Sequence, residues 1–150
     1  MTELLAATLN IRNIADRWPE RLPLLLADMT ALQPDVMGLQ EVVFAVGQDR
    51  LLGAAGEARY RVSRGWAGRP EYGNAILARE GRAQAASDAS RLDLGRNRSA
   101  LRLGLELQDG GHLAFVVTHL HHAVPDEAIR QEQARRLVKW LVETPGPAAQ

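Results

Sequence analysis

The sequence predicts a layered α/β fold of the α+β kind, with helices packed on a sheet of mixed strand direction. Three observations carry this prediction. Residues 4–41 hold an apolar strand, an amphipathic helix and a second apolar strand in succession. Two later apolar stretches, Leu101–Leu107 and Leu113–Val117, are joined by the turn signal Asp109-Gly110-Gly111. Polar residues capable of chemistry fall at strand ends in three places, Asn10, Glu41 and His119. Strands and helices mixed in this way bury their apolar faces by stacking in layers.

Leu4–Asn10 is short and apolar and reads as a buried first strand with Asn10 at its carboxyl end. A loop over 11–18 carries Arg12 and Asn13, and helix begins near Pro19. Pro23 fits that helix only by lying near its first turn. Leu22, Leu25, Leu26, Met29 and Leu32 then repeat at helical spacing as one apolar stripe. Pro34 stops the helix, and Val36–Leu39 forms a second strand with Glu41 at its end. The crossover between the two strands should be right-handed. In open α/β sheets reacting groups collect beyond such carboxyl ends.

Further on, Gln48–Leu52 reads as a short helix and Tyr60–Arg64 as a strand. Composition makes 66–73 a loop. Asn74–Ala78 is a short buried strand that opens on its polar residue, and 79–95 has no clear signal. Leu101, Leu103, Leu105 and Leu107 alternate with polar residues or glycine, the pattern of a half-buried strand. Leu113–Val117 lacks that alternation, so both of its faces are expected to be covered. Pro125 opens a last helix, with Ile129, Ala134, Leu137, Val138 and Leu141 at helical spacing, and 144–150 reads as a turn. No repeat or long linker divides the 150 residues, which predicts a single domain.

Composition excludes several classes of function. With 18 basic and 18 acidic residues the formal net charge is zero, so no overall field draws the chain to nucleic acid or to an anionic membrane. A local basic cleft is compatible with that sum. The absence of cysteine excludes disulfides, zinc-thiolate sites and cysteine nucleophiles. There is no leader-like segment and no apolar run of membrane-spanning length, so a soluble, cytoplasmic protein is the expectation.

A carboxylate and an amide at neighbouring strand ends suit a hard, oxygen-seeking cation. Magnesium is typically held by one or two carboxylates together with waters and the substrate's phosphate. Taken alone, Glu41 is equally a strand-end carboxylate in water. The cluster His119-Leu120-His121-His122 is similar to the H-x-H-x-D-H motif of metallo-β-lactamase-like zinc hydrolases. Ala123 and Val124 fail the diagnostic half of that motif. A zinc hydrolase using His119 and His121 is therefore a third-ranked reading.

Taken together, Thr8-Leu9-Asn10-Ile11-Arg12, Pro34 to Glu41, Tyr72 to Leu77, Arg98-Ser99-Ala100-Leu101 and Val117-Thr118-His119-Leu120 closely resemble the endonuclease/exonuclease/phosphatase superfamily, with its deoxyribonuclease-I-like fold. Arg130 and Gln133 match an R-x-x-Q of the following helix. The resemblance implies a four-layer α/β/β/α sandwich and a phosphoester hydrolase dependent on Mg2+ or Mn2+, working by in-line attack of water. It assigns Glu41 and Asn10 to the metal, and Asn10, Asn74, Arg98 and His122 to the substrate phosphate. His119, with Asn74 on the cleft floor, takes the catalytic role by assisting the phosphate oxygens or the leaving group. Arg130 and Gln133 brace the last helix against the sheet.

The chain departs from the family pattern after His122. Family members continue into G-D-F-N and S-D-H segments, which supply the water-activating aspartate and the general-base histidine. Neither is found here, where Asp126 is the only later aspartate. The expectation is a partial domain, the N-terminal half of the fold over 1–150, which self-associates and has no appreciable activity alone. The alternative is a degenerate, non-catalytic binding module of the same fold. The substrate is a phosphoester of unknown class, with nucleic acid among the candidates.

Overall fold

The computed structural model describes residues 3–144. Its elements run β1 (Ala6–Asn10), α1 (Trp18–Leu32), β2 (Val36–Val43), a 3-10 turn (Phe44–Val46), α2 (Gln48–Gly53), β3 (Tyr60–Ala67), β4 (Arg69–Arg79), β5 (Ala83–Ala85), β6 (Ser90–Gly95), β7 (Arg98–Leu107), β8 (His112–Thr118) and α3 (Glu127–Glu143). The first sheet has the order β1-β2-β4-β3, with β1 parallel to β2 and the other pairs antiparallel. In the second sheet β7 pairs with β5 and β6 on one side and with β8 on the other, all antiparallel.

Two cores divide the apolar residues. Met29 of α1 and Leu52 of α2 bury against Met37, Leu39 and Leu77 on the outer face of the first sheet. Val36 and Ile76 on its inner face meet Leu101, Leu103, Leu105 and Val117 of the second sheet. On the outside of the second sheet lies α3, whose Gln133 is buried and donates through Nε2 to the Gly95 carbonyl at 3.3 Å. The four layers α/β/β/α are thus present, as the resemblance implies.

Gly38 and Gly65 permit the close approach of the sheets. A Cβ at Gly38 would lie 2.9 Å from Val117 Cγ2, and one at Gly65 would lie 2.9 Å from Leu101 Cδ1. At the far end of the sandwich from Glu41, buried Asp35 accepts from Arg82 Nε at 2.9 Å and from the Leu5 amide at 3.0 Å. Burial pushes the Asp35 pKa up, but these bonds and the charges of Arg82 and Arg79 outweigh it and leave the carboxyl below its ordinary value.

Several elements differ from the sequence expectation. The first strand is an edge strand rather than a buried one: Ala7 and Leu9 face the core, but Ala6, Thr8 and Asn10 are exposed. The cause is the width of the second sheet. Its last strand, β8, meets β2 at Gly38, and no described strand crosses β1. Strand β8 is covered on its inner face, where Leu113, Phe115 and Val117 pack into the core between the sheets, while Ala114 on its outer face is exposed. The expected loop over 66–73 is the tip of a long hairpin, turned at Gly68 with φ +74°. Asn74 therefore lies within β4 instead of opening a strand.

The unassigned stretch 79–95 contains β5 and β6. Helix α1 starts at Trp18 and runs through Pro23 in its second turn, beyond the first turn where proline was expected. Leu32 and Val138 leave their expected stripes and are exposed at 61% and 60%. The expected turn over 144–150 lies, past Thr144, outside the described residues.

Candidate active site

Glu41 does not end its strand. It sits in a bulge of β2, where Gln40 and Glu41 together oppose the single residue Asn74 of β4 between the pairs Leu39–Ala75 and Val42–Gly73. At φ +58° the Glu41 backbone is in the left-handed region, which costs a non-glycine residue roughly 1–2 kcal/mol. Bulges re-aim side chains beside functional sites. Here the result is a carboxylate pointed at the tops of both sheets.

Two amides hold that carboxylate. Asn10 Nδ2 donates to Glu41 Oε1 at 3.1 Å and Asn13 Nδ2 donates to Oε2 at 2.9 Å. The same two residues build the loop after β1: Asn10 Oδ1 accepts from the Arg12 amide at 2.9 Å, and Asn13 Oδ1 from the Ala15 amide at 2.8 Å. Positive φ at Arg12 and Asn13 is what these short turns require. Asn10 thus presents its amide nitrogen to Glu41 and commits its oxygen to the loop.

From the second sheet, His119 Nε2 lies 3.8 Å from Glu41 Oε1. Arg98 Nη1 approaches His119 Nδ1 at 3.4 Å, and a guanidinium only donates, so Nδ1 is the acceptor and Nε2 carries the proton. Burial lowers the His119 pKa, the Arg98 charge lowers it further, and Glu41 opposes both. The imidazole is accordingly neutral with its N–H toward the carboxylate. Tyr72 borders the same group: burial and then the Glu41 charge raise its pKa, so its phenol keeps its proton.

Asn74 is buried beneath this group. Its Nδ2 donates to the Ser99 carbonyl at 2.8 Å, and the Thr118 hydroxyl donates to that same oxygen at 3.2 Å. Glu41, Tyr72, Asn74, Arg98, Ser99 and His119 all line one small depression. Beside it, sharing Tyr72 and Arg98, opens a cleft of about 420 Å³ between the tips of the β3–β4 and β6–β7 hairpins.

The predicted residues Asn10, Glu41, Asn74, Arg98 and His119 are therefore brought together. His122 lies to one side, its Nδ1 taking a 2.9 Å bond from Arg98 Nη2. His121 is turned away from Glu41, with Nε2 2.7 Å from Asp126 Oδ2 and its amide donating to Gln133 Oε1 at 2.8 Å. No group of three or more His, Asp or Glu side chains among the described residues is placed to hold a metal ion. A zinc site on His119 and His121 is not assembled, since each already has another partner. Gln133 braces α3 as expected and also fixes the histidine loop, while Arg130 bonds the Ala123 and Val124 carbonyls.

Three contributors were missed from the sequence: Asn13, Tyr72 and Ser99. Tyr72 and Ser99 lie inside recognised motifs, and Asn13 carries a signal only through its nearness to Asn10.

A metal is implied by the resemblance, and the residues fit one of a particular kind. Glu41 is a single carboxylate, its side chain 21% exposed, in a setting of amides and no thiolates. One carboxylate with room for waters and a phosphate matches magnesium or manganese better than zinc.

This two-sheet sandwich, with a carboxylate and a histidine meeting across its top, defines a protein of the deoxyribonuclease-I-like class. The chain belongs to the endonuclease/exonuclease/phosphatase family, whose sequence profile matches residues 7–149. Among solved structures it is similar to D. rerio TDP2 complexed with single strand DNA product, at TM-score 0.75 and 19% identity over 95% of this chain and 56% of that one. It is similar to the human Nocturnin catalytic domain with bound sulfate anion, at TM-score 0.75 and 26% identity over 90% and 56%. A third is the mannosyl-6-phosphatase of Bacteroides thetaiotaomicron, at TM-score 0.76 and 19% identity over 94% and 60%. The chain thus spans somewhat under two thirds of the length of each of these three structures. No curated protein matches it.

Proposed function

We propose that this chain forms the metal-holding and phosphate-holding wall of a Mg2+- or Mn2+-dependent phosphoester hydrolase. One observation carries the reading: Glu41 is held strained in a bulge by Asn10 and Asn13, facing a neutral His119. Glu41 is the metal ligand. Asn10 and Asn13 orient its oxygens. The direct metal role expected for Asn10 is not favoured by this geometry, since its oxygen accepts from the Arg12 amide and its NH2 faces Glu41, which leaves Asn10 a candidate donor to the phosphate. His119 donates Nε2–H to a phosphate or leaving oxygen, Arg98 adds positive charge, and Asn74 fixes the floor. The metal, when bound, would neutralise charge gathering on the phosphate oxygens during in-line displacement.

Among the described residues Glu41 is the only carboxylate lining the depression, and the Asp126–His121 pair stands outside it, its imidazole held by the carboxylate. The chain by itself is therefore expected to bind metal and phosphate while turning over at background rate. That same observation favours a second reading, a binding module of this fold without catalysis. Mn2+ titration of the full chain, followed by electron paramagnetic resonance, tests the site. Bound Mn2+ that is tightened by inorganic phosphate supports it, and no Mn2+ binding at millimolar concentrations sinks it. Metal-stimulated hydrolysis of bis(p-nitrophenyl) phosphate by this chain would reject the binding-module reading.

No described helix is long and apolar enough to cross a membrane. Nucleic acid is one substrate class in view, because the TDP2 neighbour holds single strand DNA product. We also propose self-association through the uncovered margin where, among the described residues, β1 and β8 each lack an outer partner strand. An unpaired edge recruits another chain readily. Sedimentation velocity should show a concentration-dependent rise above the monomer, and a monomer at all concentrations would overturn it.

A further inference from the structure

The 420 Å³ cleft between the hairpin tips is cationic. Arg69, Arg96 and Arg98 line it, together with His122, and no Asp or Glu does. None of these three arginines makes an ion pair among the described residues. Arg69 lies over the Tyr72 ring at 5.3 Å, while Arg98 reaches from His122 in the cleft to His119 beside Glu41. Arg98 Nε is buried with no hydrogen-bond partner. Three guanidinium groups with no ion-pair partner among the described residues, in a protein of zero net charge, mark a place where an anion is expected.

The walls are rigid enough to keep that spacing. A Cβ at Gly68 would lie 2.3 Å from Asn97 Oδ1, so the two hairpin tips pack directly on each other. Arg69 and Arg96 flank that contact, each one residue along from it. The side chain of Tyr72 lies between them and Glu41, lining both the cleft and the depression.

We propose that this cleft is a subsite for a second phosphate of the substrate, lying beyond Tyr72 from the phosphoester that Glu41 addresses. The proposal rests on the phosphoester reading for the role of the first phosphate. It narrows the substrate to one with at least two phosphate groups, either a nucleic-acid strand or a nucleoside polyphosphate, and away from simple sugar monoesters. Arg69 and Arg96 hold the second phosphate, and Arg98 lies where the two phosphates adjoin.

The test is binding to the full chain in EDTA, so that neither metal nor turnover enters. A fluorescent six-nucleotide oligothymidylate is followed by anisotropy and ATP by calorimetry, with inorganic phosphate as the single-phosphate reference. Wild type should bind one of the two probes more tightly than phosphate, and which one it binds identifies the source of the second phosphate. R69Q/R96Q should weaken that probe by at least about tenfold, the loss expected for charge-assisted bonds. R50Q/R61Q, which removes equal charge from exposed positions elsewhere, should leave it within about twofold. Wild type binding neither probe more tightly than phosphate would overturn the proposal. Equal losses in the two double variants, or no loss in R69Q/R96Q, would do the same. A chain that binds the probe yet lacks Mn2+ binding would fault the metal reading and leave the subsite standing.

Discussion

Glu41→Gln is expected to remove magnesium-dependent turnover, by about a thousandfold or more, from any form of the protein that shows it. Glutamine has nearly the shape of glutamate and accepts the same left-handed backbone at φ +58°, so the bulge itself should persist. What changes is chemical. The cation loses its negative ligand, and the amide group added by glutamine must face Asn10 Nδ2 or Asn13 Nδ2, which both donate to Glu41 now. Two donors then confront each other where an oxygen accepted. Mn2+ affinity of the present chain should fall by at least about 100-fold, with a change in unfolding free energy within about 1 kcal/mol. Turnover and Mn2+ affinity both equal to wild type would take Glu41 out of the mechanism.

The largest effect on stability is expected at Gly73. A Cβ there would fall 2.0 Å from the Gly65 carbonyl oxygen and 2.8 Å from Trp66 Cα, both main-chain atoms of the neighbouring strand. No side-chain rotation relieves a clash with backbone, so Gly73→Ala must open the β3–β4 ladder beside Asn74 and the bulge. Destabilisation above about 4 kcal/mol, or failure to fold, is the outcome to measure by urea unfolding. Gly53→Ala is the control, because its nearest heavy atom is Val62 Cγ2 at 3.5 Å, ordinary contact, and the position is helical. It should change stability by no more than about 1 kcal/mol. A Gly73→Ala protein as stable as Gly53→Ala would show that the strands separate without loss.

Much of this was legible from residue order. Spacing placed α1 and α3, the turn signal placed the β7–β8 hairpin, and recurring motif residues drew Asn10, Glu41, Asn74, Arg98 and His119 into one set. The unread parts have physical causes. Left-handed backbone at Glu41 is imposed by its opposition to Asn74 across β4, and no local propensity announces it. Residues 66–73 are rich in turn formers, yet pairing with a neighbouring strand makes them a hairpin tip. Apolar content suggested that β1 and β8 were covered on both faces, but β1 lies at a sheet edge and β8 is covered on its inner face alone, and periodicity does not say which layers reach a strand. Arg69 and Arg96 are far apart in the chain, and only the packing of the two hairpin tips at Gly68 and Asn97 sets them in one cleft.

The bond from Asn74 to Ser99 has a wider consequence. Glu41, Tyr72 and Asn74 belong to the first sheet, and Arg98, Ser99 and His119 come from the strands of the second or directly follow them. The working geometry therefore exists only while the two sheets keep one alignment, and the glycine contacts at Gly38 and Gly65 set that alignment from within the sandwich. A small slide of one sheet over the other would separate carboxylate from imidazole before any strand came apart. Chemistry at this site is thus a sensitive gauge of packing deep in the interior. Lesions far from the cleft should silence it while the protein still looks folded.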